Sequence, residues 1–297
     1  MSKYVNPFTD FGFKKIFGEE ASKPILLDFL NSLLPETTNI KDLTFKNNEQ
    51  LGDLQDSRKV IFDLYCENDK GEKFIVELQK ARQNFFKERT IYYSTFPIRE
   101  QVEKNELKFN LKAVYCIGIL DFAFRDYGDN EDKNLVVHEI KLKNQKGSVF
   151  YDKLTYIYLE MPNFKKGENE LGTRLEKWLY FIKNLNNLDH IPAIFSNEVV
   201  FSKAFEKAEI SALSNVEYNN YINSMKGYSD LKAVIETAVE EAVTIALTKA
   251  EAEKQLAIEA TEKKARLNMA KELKKNGVDI HLIQSITGLN LDELDLL

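Results

Sequence analysis

Two acids, Asp63 and Glu77, interrupt short apolar runs, Val60-Ile61-Phe62-Asp63-Leu64-Tyr65-Cys66 and Lys73-Phe74-Ile75-Val76-Glu77-Leu78-Gln79-Lys80. Both runs are rich in β-branched and aromatic residues. The link Asn68-Asp69-Lys70-Gly71 is turn chemistry, so the pattern predicts a β-hairpin. With Asp69, Lys70 and Gly71 as a three-residue loop and Gly71 left-handed, Asn68 pairs with Glu72 and Asp63 falls opposite Glu77. Alternation then groups Ile61, Asp63 and Tyr65 with Ile75, Glu77 and Gln79 on one face. Opposed residues on neighbouring strands lie about 4.5–5.5 Å apart at Cβ, where two carboxylates repel. A shared proton, a nearby cation or a bound metal relieves that repulsion. With the backbone carbonyl of Leu78, the two acids form an all-oxygen shell that suits Mg2+ or Mn2+ and phosphoryl chemistry. The alternative is a pair of acids at the solvated ends of an edge hairpin.

Several elements must position this pair. Thr9 or Asp10 caps a short helix with Phe13, Ile16 and Phe17 on one stripe, Gly18 ends it, and Pro24 opens a second helix through Leu34. Lys14 and Lys15 on the first helix either meet phosphate or form its solvated face. Ile40 to Leu51 reads as a strand, and 52–58 as a charged loop at the site mouth. Phe85 to Lys104 switches to helical spacing, kinked or split at Pro97. There Arg89 and Tyr93 stand four apart and meet on one surface, suited to holding a phosphate or simply to packing. Leu111 to Phe122 is a near-continuous apolar run, as in a strand buried on both faces. A charged loop over 124–133, a strand over Asn134 to Leu142 and another over Leu154 to Met161 follow. The order helix, three strands, helix, strand predicts an α/β core with a mixed sheet.

At this point the residues resemble a family. Asp63 followed by Glu77-Leu78-Gln79 resembles the D…(D/E)-X-K signature of the PD-(D/E)XK nuclease superfamily, in the variant with glutamine for lysine. The opening Asn6-Pro7-Phe8-Thr9-Asp10-Phe11-Gly12-Phe13-Lys14-Lys15-Ile16-Phe17-Gly18 is similar to the Rpn-type branch of recombination-promoting, transposase-like nucleases. The resemblance implies the restriction-endonuclease-like αβββαβ core and a metal-dependent DNA endonuclease acting in recombination or element mobility. It implies catalytic roles for Asp63, Glu77 and Gln79. Metal ligation falls to Asp63, Glu77 and the Leu78 carbonyl, with Asp10 as a third carboxylate if it is not merely the helix cap. Arg89, Tyr93 and Lys14 would face the substrate phosphate. Gln79 departs from the signature: it has no basicity and can only position a water. Lys80 should point to the other face, which leaves the base to Asp10, to Glu49 or to a metal-activated water. A nuclease fold that binds DNA or a protein partner without cutting is the alternative.

Composition bounds the rest. A chain of 297 residues, 43% hydrophobic, builds a sizeable core. Its net charge of −6 restricts any DNA contact to a local patch. No run approaches the roughly 18 apolar residues of a membrane span and no apolar signal segment opens the chain, which gives a cytoplasmic expectation. Cys66 and Cys116 lie in apolar strands, and His138, His190 and His281 lack metal-ligand spacing. The expected organisation is a nuclease core over 1–165, helices packed on it over 166–228, a long helix or weak coiled coil over 229–265, and a small tail over 266–297 resembling a helix-turn-helix. The C-terminal helices offer a route to a homo-oligomer.

Overall fold

The hairpin forms as its sequence dictates. Gly71 takes φ +79°, its N–H donates to Asn68 O at 3.0 Å, and Asn68 N–H donates to Glu72 O at 3.0 Å. The computed structural model describes residues 2–50, 60–102, 110–124 and 134–296; the loop expected over 52–58 and nearly all of that over 124–133 lie outside them. In chain order the helices are α1 (Asp10–Phe17), α2 (Lys23–Leu33), α3 (Phe86–Arg99), α4 (Arg174–Asn184), α5 (Val199–Ala208), α6 (Asn215–Lys275), α7 (Ile280–Thr287) and α8 (Leu291–Asp295). The strands are β1 (Leu43–Phe45), β2 (Glu49–Gln50), β3 (Val60–Ile61), β4 (Leu64–Asn68), β5 (Lys73–Gln79), β6 (Val114–Leu120), β7 (Val137–Lys143) and β8 (Val149–Glu160).

Six strands make one mixed sheet in the order β1-β4-β5-β6-β8-β7, with β5, β6 and β8 parallel to one another and the other pairings antiparallel. The expected α/β PD-(D/E)XK architecture is therefore present. The apolar run at β6 sits centrally, between β5 and β8, because only a strand covered on both faces buries every side chain of Cys116 to Leu120. One face packs against α1, α2, α4 and α5 through Phe13, Phe17, Leu26, Phe29, Val76, Ile117 and Trp178. The other face packs under α3 through Phe62, Tyr65, Ile75, Phe86, Phe96 and Tyr158.

Four expectations change, one of them away from the sheet: the long helix expected over 229–265 is α6, a single helix over Asn215–Lys275. The strand over Ile40 to Leu51 is two short strands, β1 and β2. The run Val60 to Cys66 is broken at Phe62–Asp63: β3 pairs with β2 in a separate ribbon, while β4 joins the sheet. Phe62 is the reason, because its ring leaves the alternation and packs on the α3 side, edge-on to Tyr65 and Tyr93 at 5.6 and 5.5 Å. Asn48 splints the break by accepting Phe62 N–H at 2.9 Å and donating Nδ2 to Phe62 O at 3.0 Å. Finally, α3 is one helix that carries Pro97 in its last turn and ends at Arg99, so the proline neither kinks its middle nor splits it.

Helix α1 starts as read: Thr9 Oγ1 accepts Gly12 N–H at 3.0 Å, and Gly18 closes the last turn. Asp10 is the first helical residue, not the cap. At Gly12 a Cβ would stand 2.1 Å from the Asn6 carbonyl oxygen and 2.8 Å from Thr9 Oγ1. Gly12→Ala is therefore expected to cost about 2–4 kcal/mol, measured as a lower denaturation midpoint. The start of α6 holds α1 from outside. The Tyr221 hydroxyl takes Asn6 N–H, Ser224 Oγ takes Phe11 N–H, both at 3.2 Å, and Glu217 takes Lys15 Nζ at 2.5 Å.

The described chain divides into two compact units, Met1–Leu231 and Lys232–Leu297, with the boundary inside α6. In the second unit the end of α6 packs with α7 and α8 around Ala270, Ile283, Leu289 and Leu294. Gly277 and Gly288, at φ +74° and +67°, make the two turns. No described helix is long and apolar enough to cross a membrane.

Candidate active site

Asp63 lies at the strand break, and the lost ladder is replaced by an exchange between side chains and main chain. Asp63 N–H donates to Glu77 Oε1 at 3.1 Å, and Leu78 N–H donates to Asp63 Oδ2 at 2.7 Å. Each carboxylate is thus aimed by a backbone donor that no side-chain change removes. Because Leu64 pairs with Val76, the residues before and after them face each other, and Asp63 meets Glu77 as the register predicts. Both are half-buried, and loss of solvation is the first cause that raises their proton affinity. For Asp63 the charge of Asp10 adds to the upward push, while the Leu78 N–H, Lys14 and Lys80 oppose it. Glu77 is pushed up to about 8 by burial and then by Asp63, against the Asp63 N–H, Arg89 and Lys14.

The raised proton affinity means that two negative charges are costly at this place, a cost that a bound cation would relieve. The oxygens not engaged by main-chain donors, with the Leu78 carbonyl, are hard donors of the kind Mg2+ and Mn2+ prefer. The residues present fit a divalent cation. Among the described residues no cluster of three or more His, Cys, Asp or Glu is positioned to hold one. Asp10 is exposed and its Oδ1 is 2.8 Å from Lys80 Nζ. Sequence alternation sends Lys80 away from Gln79, yet on that side it meets α1 and its charge still acts on Asp63. This pairing had no signal in the local sequence, since Asp10 and Lys80 meet only through the packing of α1 on the sheet.

Gln79 is held from two sides: Arg89 Nη2 donates to its Oε1 at 2.5 Å, and its Nε2 donates to the Leu78 carbonyl at 3.3 Å. Arg89 also donates to Gln83, its guanidinium lies 5.8 Å from the Phe86 ring and 5.7 Å from the Tyr93 ring, and its buried Nε has no hydrogen-bond partner. The Tyr93 phenol is raised by burial first, and feels Arg89 and both acids. Lys14 lines a cleft of about 230 Å3 with Phe11, Asn48 and Asp63. Lys15 lies on the same cleft but is committed to Glu217 and Glu19, at 2.5 and 3.0 Å. Thus Asp63 opens towards α1, Glu77 towards α3, and cations stand on both sides. Glu49 sits on β2, in the ribbon beside the break.

In a comparison with known families, residues 7–238 match the PD-(D/E)XK nuclease family transposases. The chain belongs to that family. No similar curated protein and no similar solved structure was found. Membership makes the protein one of the PD-(D/E)XK nucleases, whose fold is the one described above.

Proposed function

We propose that this PD-(D/E)XK transposase-family protein is a divalent-metal-dependent DNA endonuclease that cuts phosphodiester bonds during recombination or element mobility. The observation that carries the reading is the pair Asp63 and Glu77, half-buried and facing each other, aimed by backbone donors and flanked by Lys14, Lys80 and Arg89. Asp63, Glu77 and the Leu78 carbonyl would hold Mg2+ or Mn2+, which supplies charge neutralisation at the scissile phosphate and a more acidic water.

The chain's own residues position the reactants. Lys14 takes a phosphate oxygen from the α1 side, while on the α3 side the Arg89 guanidinium, packed beside the Tyr93 ring, supplies positive charge next to Gln79. Gln79, with its carbonyl oxygen occupied by Arg89, presents its amide as a donor and takes no proton. Lys80 is held by Asp10 and stands beside Asp63.

Supercoiled plasmid should pass to nicked and linear forms with Mg2+ or Mn2+ and stay intact in EDTA. Plasmid bound but uncut under both metals would overturn the endonuclease reading and move the protein to the class of nuclease folds that only bind.

A further inference from the structure

Phe85, immediately before α3, has φ +61°. A left-handed backbone is costly for a bulky residue, and here the ring is 76% exposed, so burial does not offset the strain. The ring forms the lip of a cleft of about 360 Å3, lined also by Arg82, Phe86, Lys87, Phe122 and Phe124. The floor is fixed in place. Phe86 and Phe122 meet edge to face at 5.8 Å, and Phe122 and Phe124 at 6.1 Å. Phe124 N–H donates to the buried Glu160 carboxylate at 2.9 Å, and Lys87 Nζ lies 5.1 Å from the Phe124 ring.

The cleft is tied to the candidate active site through the first turn of α3. Arg89 N–H donates to the Phe85 carbonyl at 2.9 Å, and the same residue's guanidinium reaches Gln79. One helical turn therefore separates the exposed ring from the residue beside the acids. We propose that the cleft receives an unpaired nucleobase next to the scissile phosphate, stacked on Phe85, with Arg82 and Lys87 on the flanking backbone. An apolar aromatic wall with cations at its rim matches a base and its phosphate, and among the described lining residues Glu88 is the single acid. A base still paired within a duplex cannot enter, so the substrate is DNA that carries single-stranded or opened positions. The inference rests on the nuclease reading above.

The test uses the full-length protein in EDTA and a single-stranded oligonucleotide with one 2-aminopurine, compared with Phe85→Ala, Phe85→Gly and Phe85→Trp. Wild type and Phe85→Trp should quench the fluorophore. Phe85→Ala and Phe85→Gly should lose the quenching and bind about 5- to 150-fold more weakly. Glycine accepts the positive φ, so Phe85→Gly keeps the turn and separates loss of the ring from loss of the fold. Unaltered quenching and affinity in Phe85→Ala and Phe85→Gly, or absence of quenching by wild type, would overturn the proposal. Plasmid cutting is read separately: Phe85-dependent quenching without cutting leaves this site standing while the endonuclease reading fails, and cutting without such quenching does the reverse.

Discussion

Glu77→Gln should melt at a higher temperature than the wild type in EDTA at pH 8, and should have lost metal-dependent cutting. Burial and Asp63 lift the Glu77 carboxyl from its ordinary 4.5 to about 8. Folding above pH 4.5 then requires Glu77 to take up a proton or to be buried charged next to Asp63. The stability attached to the protonated form is complete below the ordinary pKa and is lost as pH rises through about 8. At about 1.4 kcal/mol per unit, the amide should gain on the order of 2–4 kcal/mol at pH 8. The gap between variant and wild type should close towards pH 4. The same charge is what a cation needs, so cutting should fall about 10³-fold or more. Asp63→Ala should lose cutting to the same degree, with a smaller stability change because it leaves the Leu78 N–H without its acceptor. Cutting that survives either substitution, or a Glu77→Gln protein less stable than wild type across this pH range, would sink the assignment.

Arg89→Ala should reduce cutting about 10²- to 10³-fold at saturating metal. It removes the donor to Gln79, the stacking partner of Tyr93 and one of the cations that lower Glu77. The Glu77 carboxyl should rise further, so half-maximal cutting should require more metal at pH 7. Arg89→Lys should not restore the rate, because one ammonium nitrogen cannot span the two positions from which separate guanidinium nitrogens reach Gln79 and Gln83. Gln79→Lys would set a second cation beside Arg89 and is expected to cut no faster than wild type. Wild-type rates in Arg89→Ala at saturating metal, measured by plasmid nicking, would remove the arginine from the mechanism.

Much of this arrangement was legible because it is written in local chemistry. Gly71 and the three-residue loop set the register, and the register alone placed Asp63 across from Glu77. Thr9, Gly18 and Pro24 marked the helix ends, and the apolar run at β6 announced a central strand. What local pattern could not carry was long-range. The break at Phe62–Asp63 arises because the Phe62 ring is worth more among Tyr65, Tyr93 and Phe96 than in its alternating position. The two acids then take over main-chain donors that a regular ladder would have used. The Asp10–Lys80 pair and the left-handed Phe85 likewise exist only once α1 and α3 have docked on the sheet.

The site residues end, in sequence, at Tyr93, but the support beneath them does not. Helix α1, which carries Asp10 and Lys14, leans on the Tyr221 and Ser224 hydroxyls and on Glu217. A fragment cut at Ser214 would retain every side chain assigned to chemistry and lose all three props, and Lys14 would no longer be held over Asp63. The smallest piece able to keep the cleft in shape extends into the first turns of α6. This gives a mechanical reason for a family match that runs on to residue 238.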